Sequence, residues 1–108
     1  MKKPMKKQST SPSRRSTHVL RLFISTPSAK SDRAVDNLQK VCEEHLHGRY
    51  DLVVIDIRKQ AQLARDAQIV AVPTLIKHLP LPLQRLVGDM SDLGQVLFGL
   101  DVRLRGHT

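Results

Sequence analysis

Two apolar runs separated by one long amphipathic stretch restrict the possible folds of this chain more than any other feature. Residues 18–25 read HVLRLFIS, an apolar, β-branched and aromatic run with one charge, which is the pattern of a central strand covered on both faces. Residues 50–57 read YDLVVIDI and form a second apolar strand. Between them Ala34, Val35, Leu38, Val41, Cys42 and Leu46 recur at steps of three and four, so one face of a helix is apolar and must lie against a sheet. Ser31 is the expected N-cap, Asp32 sits at the positive end of the helix dipole, and Gly48 is a natural stop. Strand, long helix and strand in that order call for a right-handed crossover with the two strands parallel.

The second half has weaker signals. Residues 58–68 are rich in Ala, Gln, Leu and Arg and predict a shorter helix, with Leu63 and Ala67 on one face. Residues 69–76 (IVAVPTLI) read as a strand containing Pro73, which cannot donate to a ladder and belongs at an edge, a bulge or a strand start. Pro80 and Pro82 turn the chain over 77–82, residues 83–87 supply the partner strand of a hairpin, and Gly88 and Asp89 end it. Ser91 is the expected cap of a last helix carrying Leu93, Val96, Leu97 and Leu100. The order strand, helix, strand, helix, strand, strand, helix is an α/β, thioredoxin-like arrangement, with Pro73 at the place of that fold's cis-proline.

The chemistry of that fold is missing. Its cysteine pair would lie between the first strand and first helix, where this chain has Ser25, Thr26, Pro27, Ser28, Ala29 and Lys30. Thiol–disulfide exchange has no nucleophile there, and Cys42, the only cysteine, falls mid-helix on the apolar stripe, where it acts as a small apolar residue. A single cysteine also excludes an internal disulfide and a Cys-rich zinc cluster. His45 and His47 are near Cys42 in sequence but do not share a helix face, so no metal site is expected. Asp56 ends the second strand, where a carboxylate commonly caps the next helix, and no second group for catalysis accompanies it. The glycines form no G-x-x-x-x-G-K loop, so ATP chemistry must belong to a partner. No catalytic residue, cofactor or metal ligand is therefore assigned.

The net charge of +8 is unevenly spread: Lys2, Lys3, Lys6, Lys7, Arg14 and Arg15 supply six of it. Residues 1–17 are expected to be a basic disordered tail, 18–102 the folded domain and 103–108 a flexible C-terminus. The tail reads as a solubilising extension in preference to a polyanion-binding arm. Trp 0, Tyr 1 and Phe 2 leave few rings for stacking on bases, so nucleic acid is not the expected partner. Arg21, Asp56 and Lys77 break the apolar runs before any could span a bilayer, and residues 9–17 are polar where a signal peptide needs its apolar segment. A cytoplasmic protein is expected.

From residue 18 to about 102, roughly four fifths of the chain, the sequence resembles KaiB, the family of small partner proteins of the circadian clock ATPase KaiC. The resemblance is carried by HVLRLFIS at 18–25, by Ser31, Arg33 and Ala34, by VVIDI at 53–57, and above all by PTLIKHLPLPLQRLVGDMSD at 73–92. It implies a thioredoxin-like protein without the cysteines that occupies two folds: a self-associated ground state, dimer or tetramer, and a monomeric thioredoxin-like state that binds the KaiC ring. The first half holds still and the second refolds. Carried over by position, Gly88 and Asp89 bear on the balance between the folds, together with Pro73, Pro80 and Pro82, while Arg33, Lys59 and Arg85 match basic positions on the partner-facing surface.

The sequence is compatible with such switching. Each X-Pro bond has a trans preference of only about 0.5–1 kcal/mol, and residues 61–67 and 91–100 mix helix formers with β-branched or small residues. The function implied is a non-catalytic protein that binds a KaiC-type ATPase, in competition with a sensor histidine kinase. The rival readings are a thioredoxin-fold enzyme without the cysteine pair and polyanion binding through the basic tail. Asp51 and Val53 replace a small residue and a lysine common in the family, Leu81 interrupts a proline triplet, and the basic N-terminal segment is extra. These departures imply a divergent, non-cyanobacterial member acting in signalling or stress adaptation rather than in timekeeping.

Overall fold

The first apolar run is the hub of the molecule. In the computed structural model, which describes residues 17–102, β1 (His18–Ile24) pairs in parallel with β2 (Tyr50–Asp56), from His18↔Tyr50 to Ile24↔Asp56. On its other side β1 runs antiparallel to β3 (Thr74–Leu79), and β3 runs antiparallel to β4 (Gln84–Val87), giving the sheet order β2-β1-β3-β4. Of the tail expected at 1–17, residues 1–16 lie outside the described residues, as does the C-terminus expected at 103–108, while Thr17 donates its N–H and its hydroxyl to the Arg49 carbonyl. Alternation along β1 sends Leu20, Leu22 and Ile24 to one face, where they form a core with Ala34, Leu38, Val41 and Cys42 of α1 (Ala29–Leu46) and Val96 of α3 (Leu93–Gly99). Phe23 points the other way and packs with Ile55, Ile76 and Ala64 of α2 (Ala61–Asp66). The α/β, thioredoxin-like arrangement and its parallel β1–β2 pair are as the sequence predicts.

The element ends differ from expectation for local reasons. Ser28, not Ser31, caps α1: its Oγ accepts from the Ser31 N–H at 3.2 Å. Ser31 is buried in the first turn, and its own hydroxyl accepts from the Ser25 N–H at 3.1 Å. Likewise Asp92, not Ser91, caps α3 by accepting from the Gln95 N–H. The second helix covers only Ala61–Asp66 of the expected 58–68, because the N–H groups of Lys59 and Gln60 both turn back to the Asp56 carbonyl before it. The strand expected over 69–76 begins only at Thr74, just after Pro73, and runs through Lys77 to Leu79, so the hairpin turn is shorter than 77–82. The peptide bonds before Pro27, Pro73, Pro80 and Pro82 are cis. α3 lies close on β4 because residue 99 is glycine: a Cβ there would fall 2.5 Å from Leu86 Cδ1.

Lys77 explains why a charged residue continues the strand. It is 1 % exposed, and its ammonium group donates to the carbonyls of Pro80, at 2.5 Å, and Pro82, at 2.7 Å. Two charge-assisted bonds to a loop with few N–H donors of its own fix the hairpin tip. Lys77→Met keeps the packed stem and leaves both carbonyls without this donor. It is expected to cost about 1–3 kcal/mol, read as a lower urea midpoint at unchanged slope.

Candidate partner-binding site

Four of the residues to which the KaiB resemblance points, Arg33, Pro73, Gly88 and Asp89, meet in one cluster at the end of the sheet. Gly88, with φ +128, lets the chain turn after β4, and its N–H donates to the Pro73 carbonyl at 3.0 Å. That turn aims Asp89 at α1: the Arg33 guanidinium donates to its carboxylate at 3.2 Å, and the Asn37 side-chain amide donates to its backbone carbonyl at 2.9 Å. The Ser91 N–H also donates to the carboxylate, and with Arg33 it holds the Asp89 carboxyl below the ordinary carboxylate value. Asp89 thus fastens the start of the second half's last connection to the first turns of α1.

Pro80 and Pro82 belong to a separate cluster around Lys77. The three basic positions lie on three different elements. Arg33 keeps much of its side chain exposed while paired with Asp89. Arg85 stands on β4, where its guanidinium donates to the Ala67 carbonyl at 2.5 Å and clasps the end of α2. Lys59 is exposed in the turn between β2 and α2. Beside that turn the Thr26 hydroxyl donates to the Asp56 carboxylate, whose other oxygen accepts from the Arg58 N–H at 2.9 Å. These bonds hold the Asp56 carboxyl below its ordinary value. Asp56 therefore ties the β1–α1 loop to the β2–α2 turn, while Gln60 takes the cap position of α2 without a side-chain bond.

Sequence reasoning missed Asn37, Thr26 and Lys77. Asn37 had a usable signal, since it lies four residues after Arg33 and so shares its helix face. Thr26 had none, because its partner is thirty residues away.

The segment that replaces the cysteine pair is a capping loop. Cys42 is 0 % exposed, and burial pushes its thiol up to about 12, so a thiolate is strongly disfavoured at neutral pH. His45 is half-buried and His47 sits at the helix C-cap in the left-handed region. Among the described residues no three His, Cys, Asp or Glu side chains are placed to hold a metal ion. No helix there is long and apolar enough to cross a membrane.

The family model for the KaiB domain matches residues 21–102. The chain belongs to the KaiB family. The circadian clock protein KaiB3 of Synechocystis sp. is 46% identical over 84 residues, covering 78% of this chain and 82% of that protein. The circadian clock oscillator protein KaiB of Prochlorococcus marinus is 44% identical over 88 residues, covering 82% and 84%. Among solved structures, the N-terminal domain of Synechococcus elongatus SasA superposes with a TM-score of 0.64 at 23% identity, covering 92% of this chain and 93% of that one. Mitochondrial thioredoxin 3 of Saccharomyces cerevisiae gives 0.65 at 15% identity, over 80% and 78%. Both likenesses concern the fold.

The Asp89 cluster makes a testable distinction between its two links to α1. The Asn37 amide is part-buried and its bond is neutral, whereas the Arg33 pair is exposed and screened by salt. Asn37→Ala is expected to lower stability by about 0.5–1.5 kcal/mol independently of salt. Arg33→Ala should have a smaller effect that fades in 1 M salt, both read by urea unfolding.

Proposed function

We propose that this chain is a non-catalytic KaiB-type regulator that acts by docking a KaiC-type ATPase through its thioredoxin-like fold, and so modulates circadian or stress-adaptation signalling. The observation that carries this reading is a KaiB family member whose thioredoxin scaffold holds no thiol at the redox position, with its one cysteine buried and resistant to ionisation. Such a molecule offers surfaces for docking where the fold's redox members offer a thiol. Residues 18–102 form the docking domain. Arg33 and Lys59 supply exposed cations for an acidic partner surface, and Arg85 holds the end of α2 against β4.

Fold exchange is part of the proposal. Asp89 is joined to Arg33 and Asn37 of α1 by polar links, the Gly88 N–H to the Pro73 carbonyl within the second half, and Pro80 and Pro82 are held by one lysine. Links of that kind can be exchanged for others, so a second packing of residues 58–100 within a few kcal/mol is reasonable. Self-association as a dimer or tetramer belongs to that other packing. Docking then selects the thioredoxin-like state, and the apparent affinity is lowered by that state's fractional population. Competition with a sensor histidine kinase for the ATPase, in the cytoplasm, completes the reading.

Size-exclusion chromatography of the full chain with a KaiC-type ATPase and ATP, followed over hours at micromolar concentration, is expected to show co-elution. Lys59→Glu should weaken the complex by about tenfold, or about 1.4 kcal/mol, while removal of residues 1–16 leaves it intact. Absence of any complex overturns the reading.

The redox alternative is tested separately. Cys42 is expected to react with a thiol reagent only on unfolding, and the protein should turn over neither glutathione disulfide nor a model disulfide.

A further inference from the structure

We propose that the acidic surface of the partner is met by the exposed face of α2, through Arg65 together with Lys59, and that Arg85 is a positioning residue that fixes α2 for this contact without touching the acid. The inference rests on the docking reading above and changes the part that two arginines play in it. Arg85, the basic position that the KaiB resemblance assigns to the partner, is occupied within its own chain. Arg65, to which the resemblance assigns nothing, faces outward.

α2 depends on contacts outside itself. It has six residues, less than two turns, and a helix that short is marginal on its own in water. Its N-cap, Gln60, supplies no side-chain bond. Ala64 is its buried residue, with Leu63 and Ala67 half-buried against the cluster of Phe23, Ile55 and Ile76. At its end the N–H groups of Ala67, Gln68 and Ile69 turn back to the carbonyls of Leu63, Arg65 and Ala64. Gln68 then takes a left-handed conformation, with φ 57. The carbonyls of Ala67 and Gln68 have no helix donor left to them, and one guanidinium takes both. Arg85 Nη2 donates to Ala67 at 2.5 Å, and Nη1 donates to Gln68 at 3.4 Å. The cation also stands at the negative end of the helix dipole. Arg85 thereby pins the end of α2 to the edge strand β4, and both of its terminal nitrogens are spent in doing so.

The face that this clasp sets carries Gln62, Arg65 and Asp66, all exposed. The Gln62 amide donates to the Asp66 carboxylate at 2.7 Å, and Arg65 donates to the Gln62 side-chain oxygen at 2.9 Å. The Arg65 guanidinium is thus oriented by a neutral oxygen, and among the described residues no carboxylate is paired with it. Arg58 and Lys59, also exposed, stand just before the helix. With Arg65 they outnumber Asp56 and Asp66, so this surface is net positive and fits an acidic polypeptide surface. Arg65 and Lys59 can approach such a surface only as far as α2 is held in place, and that is the work of Arg85.

Two variants that each remove one positive charge separate the roles, Arg85→Gln and Arg65→Gln. Amide hydrogen exchange of the full free chain is expected to show protection of Ala67, Gln68 and Ile69 reduced about two- to tenfold in Arg85→Gln and unchanged in Arg65→Gln, with the β1 amides as in the wild type in both. Binding to a KaiC-type ATPase with ATP, measured across a salt series, should weaken in both variants. The salt dependence should flatten in Arg65→Gln, because a contact charge is lost, and stay near that of the wild type in Arg85→Gln. Unchanged protection in Arg85→Gln, equal flattening in the two variants, or wild-type affinity in Arg65→Gln overturns the inference. If the wild-type chain forms no complex, the docking reading falls and takes the Arg65 contact with it, while the exchange result still decides whether Arg85 fixes α2.

Discussion

The physical requirement on which the rest of the structure depends is the burial of β1 on both faces. A strand whose alternate side chains are Leu20, Leu22 and Ile24 on one side and Phe23 on the other needs a layer above and a layer below. The long helix α1 supplies most of the first layer, and because it directly follows β1 it can return the chain only to a parallel neighbour, β2. The second layer is thinner, since α2 covers Phe23, Ile55 and Ile76 while Arg21 and Val53 on the same face stay exposed. What the sequence repeats strongly, the fold buries deeply, and what it signals weakly becomes short helices and a short edge strand.

That gradient explains what could be read in advance. The period of Ala34, Leu38, Val41 and Cys42 and the continuous apolar runs survive any local adjustment, so α1, β1, β2 and the order of elements follow from them. Helix starts do not behave this way. Ser28 and Ser31 are equally good caps in isolation, and the choice falls to Ser28 only because the end of β1 needs the Ser31 hydroxyl. Lys77 suggested a turn because its partners, two proline carbonyls, cannot be inferred from residue type. Arg85 presents the same difficulty: it reads as a surface cation, yet its guanidinium is engaged by the end of α2. Polar groups find their partners through the fold, and a linear pattern records only where apolar ones go.

The two halves of the chain are joined in different ways. Within the first half the joints are apolar and continuous with the core. Between the halves the β1–β3 ladder and the apolar core that Leu20 and Leu22 share with Leu75, Met90, Val96 and Leu100 carry the joint, and single polar contacts add to it: Arg33 and Asn37 on Asp89, and His18 on Leu100. Polar contacts fix geometry while contributing modest net free energy, because water offers comparable partners on release. Those contacts make the meeting of the two halves specific in shape, while the ladder and the shared core hold it together.

The seat of α3 on β4 shows how closely the second half is packed on itself. Gly99 allows the helix axis to approach until the Leu86 methyl groups occupy the space of a missing side chain. The two positions therefore share one volume. Bulk can be added at 99 only if it is removed at 86, so relatives that diverge at one of them should carry a compensating change at the other, and a designer who enlarges this corner must alter both residues together.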